Sequence, residues 1–128
     1  MIEKLETDYG KEIILDLHEC DPSTFTRQDL TTYFEQLCDK IDMIRCQLHF
    51  WDDLDTPEHL KETEPHLVGT SAIQFIKTSN ITIHTLDIMK RVYLNVFSCK
   101  DFDENIVKEF SEEFFKGKSV NTIVVRRI

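Results

Sequence analysis

No run of apolar residues in this sequence approaches the ~20 that a helix needs to span a bilayer, so no membrane segment is expected. A C-x-x-C pair is also missing: the four cysteines, Cys20, Cys38, Cys46 and Cys99, stand apart and read as thiols of a reducing compartment rather than as disulfides. The start, Met1-Ile2-Glu3-Lys4-Leu5-Glu6, has neither the basic residues nor the apolar stretch of a signal peptide, which points to the cytoplasm. Basic residues are in deficit, 15 against 24 acidic, for a net charge of −9. Such a surface repels nucleic-acid phosphates and draws cationic ligands such as amines, although most of the charge serves solubility. Internal repeats and low-complexity tracts are absent.

What remains is a soluble composition, 41% hydrophobic and 30% charged. A chain of 128 residues is one domain in size, able to bury roughly two-thirds of its unfolded surface without metal or disulfide staples.

Branched apolar residues dominate Lys11 to Glu19, which follows Gly10 and is expected to form a largely buried strand interrupted by Asp16 and His18. After the turn at Cys20-Asp21-Pro22-Ser23, Thr26 and Asp29 form a helix-capping pair. The helix that follows buries Leu30, Tyr33, Phe34, Leu37, Cys38 and Ile41 and exposes Arg27, Gln28, Glu35, Gln36 and Asp39. From Asp42 to Trp51 the period falls to two, with Ile44, Cys46, Leu48 and Phe50 on one side of a half-buried strand. Asp52 to Val68, acidic and holding Pro57 and Pro65, reads as a surface loop with one helical turn near Pro57-Glu58-His59-Leu60.

Alternation returns in Gly69 to Lys77 and, after a tight turn at Thr78-Ser79-Asn80, in Ile81 to Leu86. Lys90 to Cys99 is a further strand, with two faces apolar enough to be covered. Asp101 or Asp103 caps a second helix striped by Ile106, Val107, Phe110, Phe114 and Phe115 and stopped by Gly117, and Ser119 to Ile128 closes the chain as a buried strand. The expected fold is α/β (α+β): a two-layer sandwich of an antiparallel sheet with two helices on one face, in a single domain over residues 1–128.

Three stretches carry chemistry: Gly69-Thr70-Ser71-Ala72-Ile73, Thr78-Ser79-Asn80-Ile81-Thr82-Ile83-His84-Thr85-Leu86-Asp87-Ile88, and Phe97-Ser98-Cys99. Their order and spacing resemble the central region of the small prokaryotic S-adenosylmethionine decarboxylases, pyruvoyl enzymes of polyamine (spermidine) biosynthesis. Leu15-Asp16-Leu17-His18-Glu19-Cys20 likewise resembles that family's first strand. The resemblance covers most of the chain, Trp51 to Val68 being longer than the usual connection.

It implies that Ser79 attacks the carbonyl of Thr78 and that the chain divides autocatalytically between Thr78 and Ser79, leaving a self-derived pyruvoyl group on the second fragment. It implies proton transfers by His84, helped by Ser71, during processing, and a proton donated by Cys99 during turnover. The new carbonyl would accept the electrons released with carbon dioxide from a small amine-bearing amino-acid substrate. It further implies a homodimer whose active sites lie between protomers.

The departures are equally specific. Thr78, Asn80 and Ile88 stand where the family has glutamate, histidine and the glutamate that holds the ribose of S-adenosylmethionine. They keep two alternatives open: an unprocessed homologue acting as a structural or regulatory subunit, and a decarboxylase of another amino acid such as arginine or ornithine. A third alternative, an unrelated binding module, predicts that Ser79, His84 and Cys99 do not converge. Taken singly, each of these residues is an ordinary turn or strand residue. Cys46, His49, His59 and His66 lack a recognised metal-ligand spacing and read as solvated residues, as does the acidic run of Asp52, Asp53 and Asp55.

Overall fold

The computed structural model describes residues 2–128. Six strands, β1 (Gly10–His18), β2 (Arg45–Trp51), β3 (Gly69–Ile76), β4 (Ser79–Leu86), β5 (Arg91–Ser98) and β6 (Lys118–Arg127), form one sheet in the order β2-β3-β4-β5-β1-β6. Every neighbouring pair is antiparallel. Helices α1 (Arg27–Lys40) and α2 (Glu104–Phe115) cover one face, as the sequence predicts.

Local chemistry fixes the helix ends. Thr26 Oγ1 accepts the Asp29 N–H at 3.0 Å and donates to the Asp29 carboxylate at 2.7 Å, closing the expected cap of α1. Asp103, not Asp101, caps α2 by accepting the Asn105 N–H at 2.9 Å. That helix stops in a left-handed Lys116 rather than at Gly117. Gly117 meets a spatial need instead, because a Cβ there would run into Cys20 Sγ.

The core lies between the helices and the strand residues whose side chains point toward them: Ile13, Leu15 and Leu17 of β1, Ile81 and Ile83 of β4, and Val92, Leu94 and Val96 of β5. Tyr33 sits at its centre among Phe34, Phe110, Phe114 and Phe115, and its hydroxyl shares a 2.7 Å hydrogen bond with Ser111. Lys11 is fully buried, yet its ammonium is satisfied by the carbonyls of Ile2 and Phe102 and the carboxylates of Asp101 and Glu104, which ties the N-terminal segment to the start of α2.

Several expectations are corrected. β5 has one covered face, while Tyr93, Asn95 and Phe97 on the other are only half-buried. β6 is an edge strand, largely exposed, because only β1 pairs with it. Ile44 and Cys46 are exposed rather than buried, and Ile106 leaves the apolar stripe of α2 for the surface. In β3 the polar Gln74 is buried while Ile73 and Phe75 point outward. The reason is the irregular register between Arg45 and Leu48 of the adjoining β2, where the Gln74 side-chain amide donates to the carbonyls of Cys46 and Gln47. The turn between β3 and β4 is also earlier than expected: Lys77 and Thr78 form it, and Ser79 already pairs with Ile76.

No helix among the described residues is long and apolar enough to cross a membrane.

Candidate active site

The chemistry-bearing residues gather in two pairs. The first lies on the uncovered face of the sheet, where Ser71 of β3 stands opposite His84 of β4 in the ladder. Their side chains share a hydrogen bond of 2.8 Å between Oγ and Nδ1. Gly69, two residues before Ser71, must be glycine at this approach, since a Cβ would collide with the Thr85 carbonyl.

The second pair lies at the far end of β4. Ser79 begins that strand, nearly buried, and its hydroxyl donates to the carbonyl of Thr78 at 2.6 Å. The N–H of Cys99, just past the end of β5, donates to Ser79 Oγ at 3.0 Å. Thr78 Oγ1 also meets Cys99 Sγ at 2.9 Å. Hydrogen bonding from Thr78 above all, assisted by Ser79 and Tyr9, holds the Cys99 thiol below its ordinary pKa despite the opposing effect of burial. Burial has the contrary result at Cys20 and Cys38, whose thiols are pushed up to about 11. Cys99, unlike Cys20 and Cys38, thus sits where the thiolate is favoured.

Within one chain the two pairs do not meet. His84 lies five positions after Ser79, an odd offset, so their side chains leave opposite faces of β4 and their Cα atoms stand roughly 16 Å apart at ~3.3 Å per residue. Ser79 and Cys99 converge, and so do Ser71 and His84; the larger constellation expected from the sequence is divided.

Tyr9 escaped the sequence reading. It precedes the first strand and packs its ring 6.2 Å from that of Phe97, two residues before Cys99, close enough to help lower the pKa of that thiol. Nothing in the local pattern around Tyr9 announces a partner so distant in sequence.

A cleft of about 380 Å³ opens at the other end of the sheet, between the start of α1 and the segment after β2. Phe25, Val68 and Thr70 line it together with Asp52 and Asp87. Asp52 is held by Arg27 through bonds of 2.7 and 2.8 Å, and Asp53 accepts the Glu62 N–H, so two of the three acids of the Asp52–Asp55 run organise this segment. Asp87 retains much of its surface in solvent, yet desolvation raises its carboxyl pKa. Cys46, His49, His59 and His66 remain dispersed: among the described residues no group of three or more His, Cys, Asp or Glu could hold a metal ion.

Comparison with known proteins gives this geometry a lineage. A search of curated protein sequences returns no significant match. Among solved structures, the crystal structure of the adenosylmethionine decarboxylase from Aquifex aeolicus VF5 superposes with a TM-score of 0.73, covering 94% of this chain and 91% of that one at 18% identity. That likeness establishes the fold. The family model for S-adenosylmethionine decarboxylase matches residues 11–128, and the chain belongs to that family.

Proposed function

We propose that the protein is a self-processing, pyruvoyl-dependent decarboxylase of polyamine biosynthesis, with Ser79 as the pyruvoyl precursor and S-adenosylmethionine as the substrate to test first. The observation that carries the reading is the Ser79 hydroxyl, 2.6 Å from the carbonyl oxygen of Thr78 at a two-residue turn. A serine directed at the preceding carbonyl is what amide-to-ester rearrangement requires. The Cys99 N–H on Ser79 Oγ fixes that hydroxyl in place. These residues fit a pyruvoyl group formed from Ser79, beside the Cys99 thiol and the hydroxyl of Thr78. Once formed, the group supplies an electron-accepting carbonyl for decarboxylation of an amine-bearing substrate. Cys99 is then the proton donor, and Ser71 orients the His84 ring.

The separation of the two pairs supports a homodimer. The uncovered face carries Ile73, Phe75, Tyr93, Phe97 and Ile123 across neighbouring strands, with Ser71 and His84 among them. A second copy packed on that face about a two-fold axis would cover the apolar residues of both copies, with the two Ser71–His84 pairs inside one symmetric contact.

A second reading rests on Thr78, Asn80 and Ile88, which replace the family's two glutamates and a histidine: an unprocessed homologue of structural or regulatory role. Intact mass of the denatured protein separates the two. Two fragments corresponding to residues 1–78 and 79–128, the second blocked at its N-terminus, support the proposal; a single species of 15.2 kDa after prolonged incubation sinks it. With cleavage in hand, carbon dioxide release from S-adenosylmethionine, arginine and ornithine identifies the substrate.

A further inference from the structure

Thr78 occupies a backbone conformation that its side chain disfavours. Its φ is +65°, in the left-handed region. Among the described residues four other non-glycine positions share that region, Glu19, Asp42, Lys90 and Lys116, and none of them is β-branched. A β-branched residue there crowds its own backbone, which makes Thr78 the most strained of the five. No glycine of the chain takes a positive φ, so the tightest turn in the sheet is closed without the residue best suited to it.

The surroundings over-determine this strain. The loop has only two residues, because Ile76 pairs with Ser79 directly across it. Thr78 Oγ1 donates to the Lys77 carbonyl at 2.6 Å and meets Cys99 Sγ at 2.9 Å, which fixes the side chain on both sides. Ser79 is pinned in turn by the Cys99 N–H. The strain is thus held at the peptide bond whose carbonyl the Ser79 hydroxyl addresses.

We propose that Thr78 is a positioning residue for self-cleavage, its left-handed backbone raising the energy of the intact turn relative to the ester. The inference rests on the reading of Ser79 as the processed serine. In the balanced step Ser79 Oγ loses its proton and bonds to the Thr78 carbonyl carbon; the Thr78–Ser79 C–N bond breaks and the Ser79 nitrogen takes up the proton. No oxidant or reductant is needed. The amide joins Thr78 carbon to Ser79 Cα through one atom, whereas the ester joins them through Oγ and Cβ. That extra atom lengthens the two-residue loop and lets Thr78 leave the left-handed region. Removal of the Ser79 α-proton then expels the Thr78 carboxylate, and hydrolysis of the remaining dehydroalanine releases ammonia.

The test uses the full chain made by cell-free synthesis, with Thr78→Gly, Thr78→Asn and Thr78→Val compared with the parent. Conversion to fragments is followed by denaturing mass spectrometry, and the ester population is read from cleavage by a pulse of hydroxylamine. Glycine and asparagine accept a left-handed backbone, so both variants are expected to fold at least as well as the parent while forming ester and fragments about tenfold more slowly. Valine keeps the branched Cβ and should cleave within about threefold of the parent, a rescue that a role for the hydroxyl does not predict. Parental rates in Thr78→Gly and Thr78→Asn, or a Thr78→Val as slow as Thr78→Gly, overturn the proposal while leaving Ser79 processing intact. A parent that forms neither ester nor fragments overturns both.

Discussion

At the scale of single residues, environment divides side chains of the same type. Cys20 and Cys38 are buried thiols with raised pKa values, whereas Cys99 is half-exposed with a lowered one and Cys46 lies on the surface. Brief alkylation of the native protein at neutral pH is therefore expected to mark Cys46 and Cys99 and spare Cys20 and Cys38, as mapped by peptide mass. On the proposed function, His84→Ala takes away the proton-transfer group of processing from a half-buried position, where loss of the Ser71 hydrogen bond costs only about 1 kcal/mol. Fragment formation should slow by roughly 10²–10⁴-fold with little change in melting temperature, measured on the same preparation. The sequence singled out Ser71, Ser79, His84 and Cys99 by spacing, and the fold brings Ser71 to His84 and Ser79 to Cys99. Their division into two pairs was not read there: the odd separation of Ser79 and His84 along one strand sends the two side chains to opposite faces. Nor was Tyr9, since its packing against Phe97 beside Cys99 is made only when β1 and β5, distant in sequence, pair in the sheet.

Among the elements, periodicity located α1, α2 and the six strands described above, while the side that each strand exposes depended on its neighbours. Val120, Ile123 and Val125 suggested a buried final strand, but position at the sheet edge leaves β6 exposed. In β3, alternation alone cannot explain why glutamine enters the core while isoleucine and phenylalanine leave it; the irregular register of β2 does. Gln74→Leu would fill similar space but strand the carbonyls of Cys46 and Gln47, a loss of about 1–3 kcal/mol. Denaturant titration should show that loss, and hydrogen exchange should place it in β2. The segment after β2 was read as acidic and solvated, whereas Asp52 and Asp53 hold its local shape through Arg27 and the Glu62 N–H.

For the molecule as a whole, the excess of carboxylates sets the response to acid. Side-chain hydrogen bonds from Arg126 lower the pKa of Asp8, those from Arg27 lower Asp52, and those from Lys100 lower Asp42. A carboxyl with a folded pKa below its unfolded one stabilises above the unfolded value, and that contribution disappears as pH falls through the folded one. Melting temperature should consequently hold between about pH 7 and pH 5 and decline below about pH 4. Asp87, shifted upward by desolvation, opposes the trend as a single group.

The strand order has a final consequence. A cut after Thr78 would assign β1, β2 and β3 to one fragment and β4, β5 and β6 to the other. In the sheet these alternate: β3 pairs with β4, and β1 is clasped between β5 and β6. Severing the backbone would leave two polypeptides woven through three shared ladders, with no seam along which they could part. Processed protein is expected to elute from a native sizing column as one species and to separate into its halves only in denaturant, so the covalent break would give Ser79 a new chain end while its surroundings stay assembled.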